Sequence, residues 1–102
     1  MIYRMDLSEI DPRFRADVET AVQYLKSKGC SEVYLFGSLE SGAVRETSDI
    51  DIAVRGIKPE DFFFVYGDLI MLLQHHVDLI DLDVQGPFGR TLKETGKLRR
   101  VA

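Results

Sequence analysis

Residues 34–56, YLFGSLESGAVRETSDIDIAVRG, decide the fold of this chain. An apolar run ends at Gly37-Ser38, and after ten further residues Asp49 and Asp51 open a second apolar run. Short apolar segments that are bounded by turn residues and rich in β-branched and aromatic side chains are typical of strands. We therefore predict strands over Glu32–Phe36 and Asp49–Val54, joined by a short helix or loop at SLESGAV, residues 38–44.

The flanking segments predict helices on either side of these strands. Asp11-Pro12 is a typical helix start, and apolar residues then recur at helical spacing until Gly29. A second helix is predicted over Lys58–Gln74 and a third strand over Val77–Asp83, with a short helix and a basic tail after Gly86-Pro87. The order of elements predicts one compact α/β domain spanning residues 1–102, with a basic C-terminal segment at residues 86–102.

Composition narrows the classes of function. The chain has 102 residues and no apolar run of the roughly 20 residues that span a bilayer. Its N-terminus lacks a signal-peptide pattern and Cys30 is the single cysteine, which together favour the cytoplasm. The net charge of −4 disfavours general nucleic-acid binding, which needs clustered lysine and arginine. We interpret the basic residues after position 89 as a solvated terminal segment rather than a phosphate contact.

Asp49, Asp51 and Asp78 are the candidate metal ligands. Residues at i and i+2 of a strand point to the same side, so the carboxylates of Asp49 and Asp51 repel each other unless a cation lies between them. Magnesium prefers such oxygen ligands together with substrate phosphates. Asp78, on the third strand, is the candidate for a third carboxylate, which would allow two ions to be held.

Gly37-Ser38 is the candidate phosphate-binding turn. A glycine at a strand end permits close approach of the backbone to a phosphate, and the serine hydroxyl and free N–H groups of a following helix can donate to phosphate oxygens. Each feature alone is common in ordinary turns and strand ends. The joint arrangement predicts a site for a metal and a triphosphate.

The pattern GS, ten residues, DID resembles the signature of minimal nucleotidyltransferases (MNT) of the DNA polymerase β superfamily, and VDLIDL resembles their third-carboxylate strand. The resemblance covers residues 12–83 and implies a mixed sheet of three or four strands flanked by helices. The small size is most similar to MNT antitoxins that partner HEPN-domain ribonuclease toxins. This resemblance implies magnesium-dependent transfer of AMP from ATP to a toxin hydroxyl, with tyrosine as the expected acceptor.

The resemblance also implies roles for single residues. Asp49 and Asp51 would ligate both metals, and Asp78 would ligate the catalytic metal and act as or assist the base. Phosphate binding would fall to the residues that match the family loop, Gly37, Ser38 and Gly42. Family members often have a basic residue after the serine, where this chain has Leu39-Glu40, and Arg45 is the candidate to compensate.

Five other polar positions are interpreted as structural. Asp81 and Asp83 lie on the strand face opposite Asp78 and are predicted to be solvated. His75 and His76 follow a helix, where an imidazole can meet free carbonyls, and no co-ligand at a suitable spacing is evident. Arg55 is interpreted as a surface residue rather than a phosphate ligand.

The second helix carries a wide apolar stripe that predicts core packing. Its members are Phe62, Phe63, Val65, Tyr66, Leu69, Ile70, Leu72 and Leu73. Phe64 and Met71 fall outside the stripe. Their position predicts either a contact with another protein chain, in a homo- or hetero-oligomer, or a cover formed by the C-terminal segment.

Two alternative functions stay open. The first is a non-catalytic antitoxin that blocks its partner sterically, which the Leu39-Glu40 departure favours and the three intact aspartates disfavour. The second is nucleotidyl transfer to a small-molecule hydroxyl, although such relatives generally carry a further acceptor-binding domain.

Overall fold

The computed structural model describes residues 3–4, 6–37, 49–84 and 98–102. Two helices and five strands make up this part of the chain, besides short 3-10 turns at Leu7–Glu9 and Pro59–Asp61. In chain order they are β1 (Tyr3–Arg4), α1 (Pro12–Ser27), β2 (Glu32–Phe36), β3 (Ile50–Arg55), α2 (Phe62–Leu72), β4 (Val77–Asp81) and β5 (Arg99–Arg100).

The strands form one mixed sheet in the order β1-β5-β2-β3-β4. β2 runs antiparallel to β3 and to β5, whereas β3–β4 and β1–β5 are parallel pairs. The predicted α/β fold with a mixed sheet is confirmed. The sheet has five strands because two-residue strands near each end of the chain extend the three that the sequence pattern predicts.

Helix α1 begins as its sequence predicts. The Asp11 side chain caps it by accepting from the backbone N–H of Arg13 at 2.9 Å, and Pro12 occupies the first turn. Its buried apolar residues join those of β2, β3 and α2 in one core. Neither helix in the described ranges is both long and apolar enough to cross a membrane.

The other face of the sheet carries a second, smaller apolar cluster. It consists of Tyr34, Phe36, Ala53, Leu82 and Leu98. Because successive strand residues point to opposite faces, Val33 and Leu35 join the helix-side core while Tyr34 and Phe36 join this cluster. The central strands β2 and β3 therefore contribute side chains to both cores.

Helix α2 is shorter and less buried than its sequence predicts. It ends at Leu72, and Leu73 has extended backbone. Within the predicted stripe, Phe63, Ile70 and Leu72 are exposed, so their assignment to the core is wrong. Only the narrow line through Val65, Leu69 and Leu73 is buried, flanked by the partly buried Phe62 and Tyr66. One helix face packs on the core, which leaves the rest of this apolar helix exposed.

The C-terminal residues are also more ordered than predicted. Arg99–Arg100 form β5 between β1 and β2, and Val33 N–H donates to the carbonyl of Ala102 at 2.9 Å. The interpretation of this basic segment as solvated is therefore wrong for residues 98–102, where Leu98 is fully buried. The predicted short helix after Gly86-Pro87 falls outside the described residues.

Candidate active site

Three strands meet at the edge of the sheet where the acidic residues lie. β2 ends there at Phe36, while the parallel strands β3 and β4 both start there. The strand register places Asp51 opposite Asp78, and Asp49 directly precedes β3. Topology thus brings together the three carboxylates that the sequence predicts as metal ligands.

A cavity of about 450 Å³ opens at this edge. Its described lining residues are Phe36, Asp51, Tyr66, Asp78, Leu79 and Ile80. Asp51 and Asp78 therefore face a common space with apolar and aromatic walls, whereas Asp49 is exposed and is not among the described lining residues. A low-dielectric wall strengthens the electrostatic interactions of these carboxylates.

The pKa of Asp51 is raised to about 6. Burial is the largest cause, followed by the negative charges of Asp78 and Asp49. Burial and like charge both disfavour the ionised form, and a bound cation would reverse that preference. The electrostatics of the cluster thus match the chemistry of a cation site.

Gly37 fits tightly against one of these carboxylates. Its φ of +68° lies in the left-handed region, and a Cβ at this position would lie 2.2 Å from Oδ2 of Asp51. Only glycine avoids both the backbone strain and this overlap. The other predicted phosphate-binding residues, Ser38, Gly42 and Arg45, lie outside the described residues, as does the Leu39-Glu40 departure.

His76 lies beside the acidic cluster. Asp49, His76 and Asp78 each offer one ligand atom, and these atoms all lie within 4.8 Å of one another. The sequence shows no co-ligand at a suitable spacing for either histidine, but the structure places two carboxylates beside His76. The sequence pattern missed it because Asp49 is brought beside His76 only by the parallel pairing of β3 and β4.

His75 has a different environment. Its Nδ1 lies 2.7 Å from Oδ2 of Asp17, and its ring packs 4.3 Å from the ring of Phe14, centroid to centroid. Asp17 also accepts from the backbone N–H groups of Gln74 and His75 at 2.8–3.1 Å. The sequence predicts a free helix carbonyl as the partner of this imidazole. The structure gives it the buried Asp17 carboxylate of α1 instead, and this carboxylate positions the segment leading into β4.

Tyr66 is a further site residue that the sequence analysis placed only in the core. Its hydroxyl hydrogen-bonds the carbonyl of Val77 at 3.1 Å and Oδ1 of Asp78 at 3.3 Å. Burial raises the pKa of Tyr66, so the phenol stays protonated and donates. Because it contacts Asp78, Tyr66 helps to fix that carboxylate. Helical spacing alone cannot distinguish such a tyrosine from ordinary core.

The remaining polar candidates lie at the opposite end of β3. Arg55 approaches Glu32 at 3.6 Å and Asp83 at 3.8 Å, as expected of a surface arginine. Asp83 is exposed and accepts from the N–H of Gly56 at 2.7 Å, while Asp81 accepts from the N–H of Asp83 at 2.9 Å. Asp81 and Asp83 thus stabilise turns, and none of these residues is among the described lining residues of the cavity.

Comparisons with known proteins agree with this geometry. The family model described as polymerase beta, nucleotidyltransferase matches residues 19–98. No curated protein matches the sequence. A toxin-antitoxin structure with AMP-PNP shares 24% identity and a TM-score of 0.66, over 80% of this chain and 69% of that chain.

Two further solved structures share the fold. A candidate minimal nucleotidyltransferase is 24% identical with a TM-score of 0.65, and the match covers 96% of each chain. A tri-AMPylated Shewanella oneidensis HEPN toxin in complex with MNT antitoxin matches with 21% identity and a TM-score of 0.61, over 84% of this chain and 69% of that chain. At these identities the likeness shows a common fold.

Proposed function

Because the chain belongs to the polymerase beta nucleotidyltransferase family, we propose that it transfers AMP from ATP to a hydroxyl group of a HEPN-domain toxin. It would then act as the antitoxin of a type VII-like pair in the cytoplasm. The observation that carries this proposal is the meeting of Asp49, Asp51 and Asp78 at one sheet edge beside the cavity.

The carboxylates at this edge of the sheet are suitable ligands for Mg²⁺. Asp49, Asp51 and Asp78 supply hard carboxylate oxygens, which magnesium combines with water and phosphate oxygens. When bound, two such ions would polarise the α-phosphate and neutralise the charge that develops on the leaving pyrophosphate. The proposed phosphate contacts are Gly37, Ser38, Gly42 and Arg45.

The chain's own residues would prepare the acceptor. In the proposed reaction the acceptor oxygen attacks the α-phosphorus of ATP, a new O–P bond forms, and the bond to pyrophosphate breaks. The hydroxyl proton passes to the Asp78 carboxylate, or to a base that this residue assists. Tyr66, which hydrogen-bonds Asp78, would hold this carboxylate in place.

An exposed apolar surface on α2 supports a protein acceptor over a small molecule. The α2 surface consists of Phe63, Phe64, Ile70 and Met71, each at least 55% exposed. Contiguous apolar side chains on a helix are typical of a protein contact. The MNT protein of the Shewanella structure is found with a HEPN toxin, and we propose a partner of the same class for this chain, with tyrosine as the acceptor.

The proposal is tested by intact-mass spectrometry of the product of the neighbouring gene, which the proposal requires to be a HEPN-domain protein. We expect incubation with this chain, ATP and Mg²⁺ to add one AMP or a multiple to that protein. Asp49→Asn, Asp51→Asn and Asp78→Asn should each abolish the gain in mass. Asp61→Asn, which removes an exposed acid outside the cavity, should leave it unchanged.

The same incubation, repeated with ATP labelled at the α-phosphate, separates the alternatives. A stable complex without any gain in mass would contradict the enzymatic proposal and favour an antitoxin that blocks its partner sterically. A radiolabelled AMP product that runs with small molecules rather than protein would favour a small-molecule acceptor. Mg²⁺ with ATP should also raise the melting temperature of an active chain by mass action. A non-catalytic antitoxin that no longer binds ATP would not show this increase.

A further inference from the structure

We propose that His76 supplies a nitrogen ligand to the divalent-cation site and biases it toward first-row transition ions over Mg²⁺. The inference rests on the proposed function, because it concerns the same acidic edge. It adds to the three carboxylates a ligand of different chemistry.

The first support is the grouping of donor atoms. Asp49, His76 and Asp78 each offer one ligand atom, and these three atoms lie within 4.8 Å of one another. Nδ1 of His76 is 3.6 Å from Oδ1 of Asp49, which is too long for a hydrogen bond. Two ligands at about 2.1 Å from one ion lie about 3 to 4 Å apart, so this spacing suits a shared cation.

The second support is the backbone that carries the ring. The carbonyl of His76 accepts from the N–H of Ile50 at 2.8 Å, which ties position 76 to the start of β3, next to Asp49. The preceding residues are held by the carboxylate of Asp17. Hydrogen bonds at the His76 carbonyl and at the two preceding N–H groups thus fix the backbone around His76. Its side chain stays 71% exposed and accessible to an ion.

The chemistry of the donors sets the metal preference. Magnesium is bound through oxygen ligands, whereas imidazole is a favoured ligand of Zn²⁺, Fe²⁺, Ni²⁺ and Cu²⁺. A site with carboxylates and one imidazole therefore discriminates more strongly against Mg²⁺ than a site with carboxylates alone. Mn²⁺, which also accepts carboxylate ligands, serves here as the paramagnetic probe of the site. His75 cannot replace His76, because its ring packs on Phe14 and its Nδ1 contacts Asp17.

Pulsed EPR of the full chain loaded with Mn²⁺ tests the ligand directly. We expect the wild type to show coupling of the metal electron spin to an imidazole nitrogen. The coupling should be lost in His76→Gln and retained in His75→Gln, the matched control at the only other histidine. Circular dichroism of each variant establishes that it is folded before the comparison.

Affinity measurements test the preference. Competition between Mn²⁺ and Mg²⁺, read by the EPR signal of free Mn²⁺, should show that His76→Gln weakens Mn²⁺ binding about tenfold while Mg²⁺ binding changes less than about twofold. Bound Mn²⁺ without nitrogen coupling, or coupling that persists in His76→Gln, would overturn the inference.

The failure of this inference and that of the proposed function are distinguishable. AMP transfer in the presence of Mg²⁺ alone, measured by intact mass, tests the proposed function without reference to His76. If transfer occurs and the Mn²⁺ spectrum lacks nitrogen coupling, the inference is wrong and the proposed function stands. If Asp49→Asn abolishes Mn²⁺ coupling in parallel with His76→Gln, both residues belong to one site.

Discussion

Gly37 combines a left-handed backbone conformation with a close approach to the acidic cluster. Gly37→Ala should introduce strain at φ +68° and push a Cβ against Oδ2 of Asp51, 2.2 Å away. We expect a loss of about 1–2 kcal/mol in the free energy of unfolding from the strain. Displacement of Asp51 should also weaken Mg²⁺ binding by about tenfold or more, as changes around metal ligands typically do.

Gly29→Ala is the matched control for this prediction. Gly29 also has positive φ, +95°, but a Cβ there would meet nothing within 4 Å. Urea unfolding should therefore show a comparable loss of stability, whereas calorimetric titration with Mg²⁺ should be unchanged. Equal effects of the two variants on metal binding would contradict a specific contact between Gly37 and Asp51.

Residue spacing predicts the acidic cluster only in part. Asp49 and Asp51 are visible as a pair because strand alternation places their side chains on one side, and Asp78 stands at the head of another strand-like run. His76, Tyr66 and Asp17 carry no such local signal. Their roles depend on contacts between separate elements, such as the bond from Gln74 to Asp17 across 57 positions of the chain.

At the scale of elements, Asp17 joins helix α1 to the segment before β4. Burial raises the pKa of Asp17, but hydrogen bonds from Gln74 and His75 outweigh it, so the net shift is downward from 3.8. A lowered folded-state pKa contributes stability that is complete above the unfolded value and is lost as the pH falls through the folded value. The contact should therefore be fully stabilising near neutral pH and be lost below about pH 4.

Asp17→Asn tests this link between the two elements. We expect it to lower the free energy of unfolding by about 1–3 kcal/mol at pH 7, because hydrogen bonds to a charged group are weakened or lost. The difference from wild type should shrink when urea unfolding is repeated near pH 3. Glu19→Gln, at an exposed position of α1, should have little effect at either pH. A pH-independent difference for Asp17→Asn would contradict the role of its charge.

Helix α2 shows where periodicity stops being informative. Nearly every position of residues 62–73 is apolar, so the pattern does not indicate how wide the buried face of the helix is. Packing selects the line through Val65 and Leu69 and leaves Phe64 and Met71 exposed by 77% and 85%. The prediction that these last two lie outside the core is confirmed, whereas the predicted stripe is too wide because Phe63, Ile70 and Leu72 are also exposed.

Gly67 lies among these exposed apolar residues and provides a sensitive test of the α2 surface. A Cβ on Gly67 would meet nothing within 4 Å, so Gly67→Ala should stabilise the helix by about 0.5–1 kcal/mol. Gly67→Arg should keep the chain folded but prevent close approach of a protein partner. Co-purification with the HEPN-domain protein should be lost in Gly67→Arg and retained in Gln23→Arg, at an exposed position of α1. Retention in both variants would contradict this surface as the contact.

At the scale of the whole molecule, the sheet separates two apolar cores that share its central strands. The order of predicted helices and strands identified the larger core, which forms between the sheet and the helices. The smaller cluster could not be predicted, because β5 is only two residues long and basic, so it carries no alternating pattern. β5 joins the sheet by pairing with β1 and β2, and this pairing makes Leu98 a core residue.

Shared central strands predict that the two cores unfold together. Leu25 on the helix side and Leu98 on the other side are both fully buried, so alanine at either position should lower the free energy of unfolding by about 2–5 kcal/mol. Leu72→Ala, which truncates a side chain that is 49% exposed, should cost less than about 1 kcal/mol. Urea unfolding followed by far-UV and near-UV circular dichroism should give coincident transitions for all variants, as a two-state domain requires. If Leu98→Ala instead produced a separate early transition while the helical signal was unchanged, the C-terminal strand would form an independent unit, and the sheet would not couple the two cores.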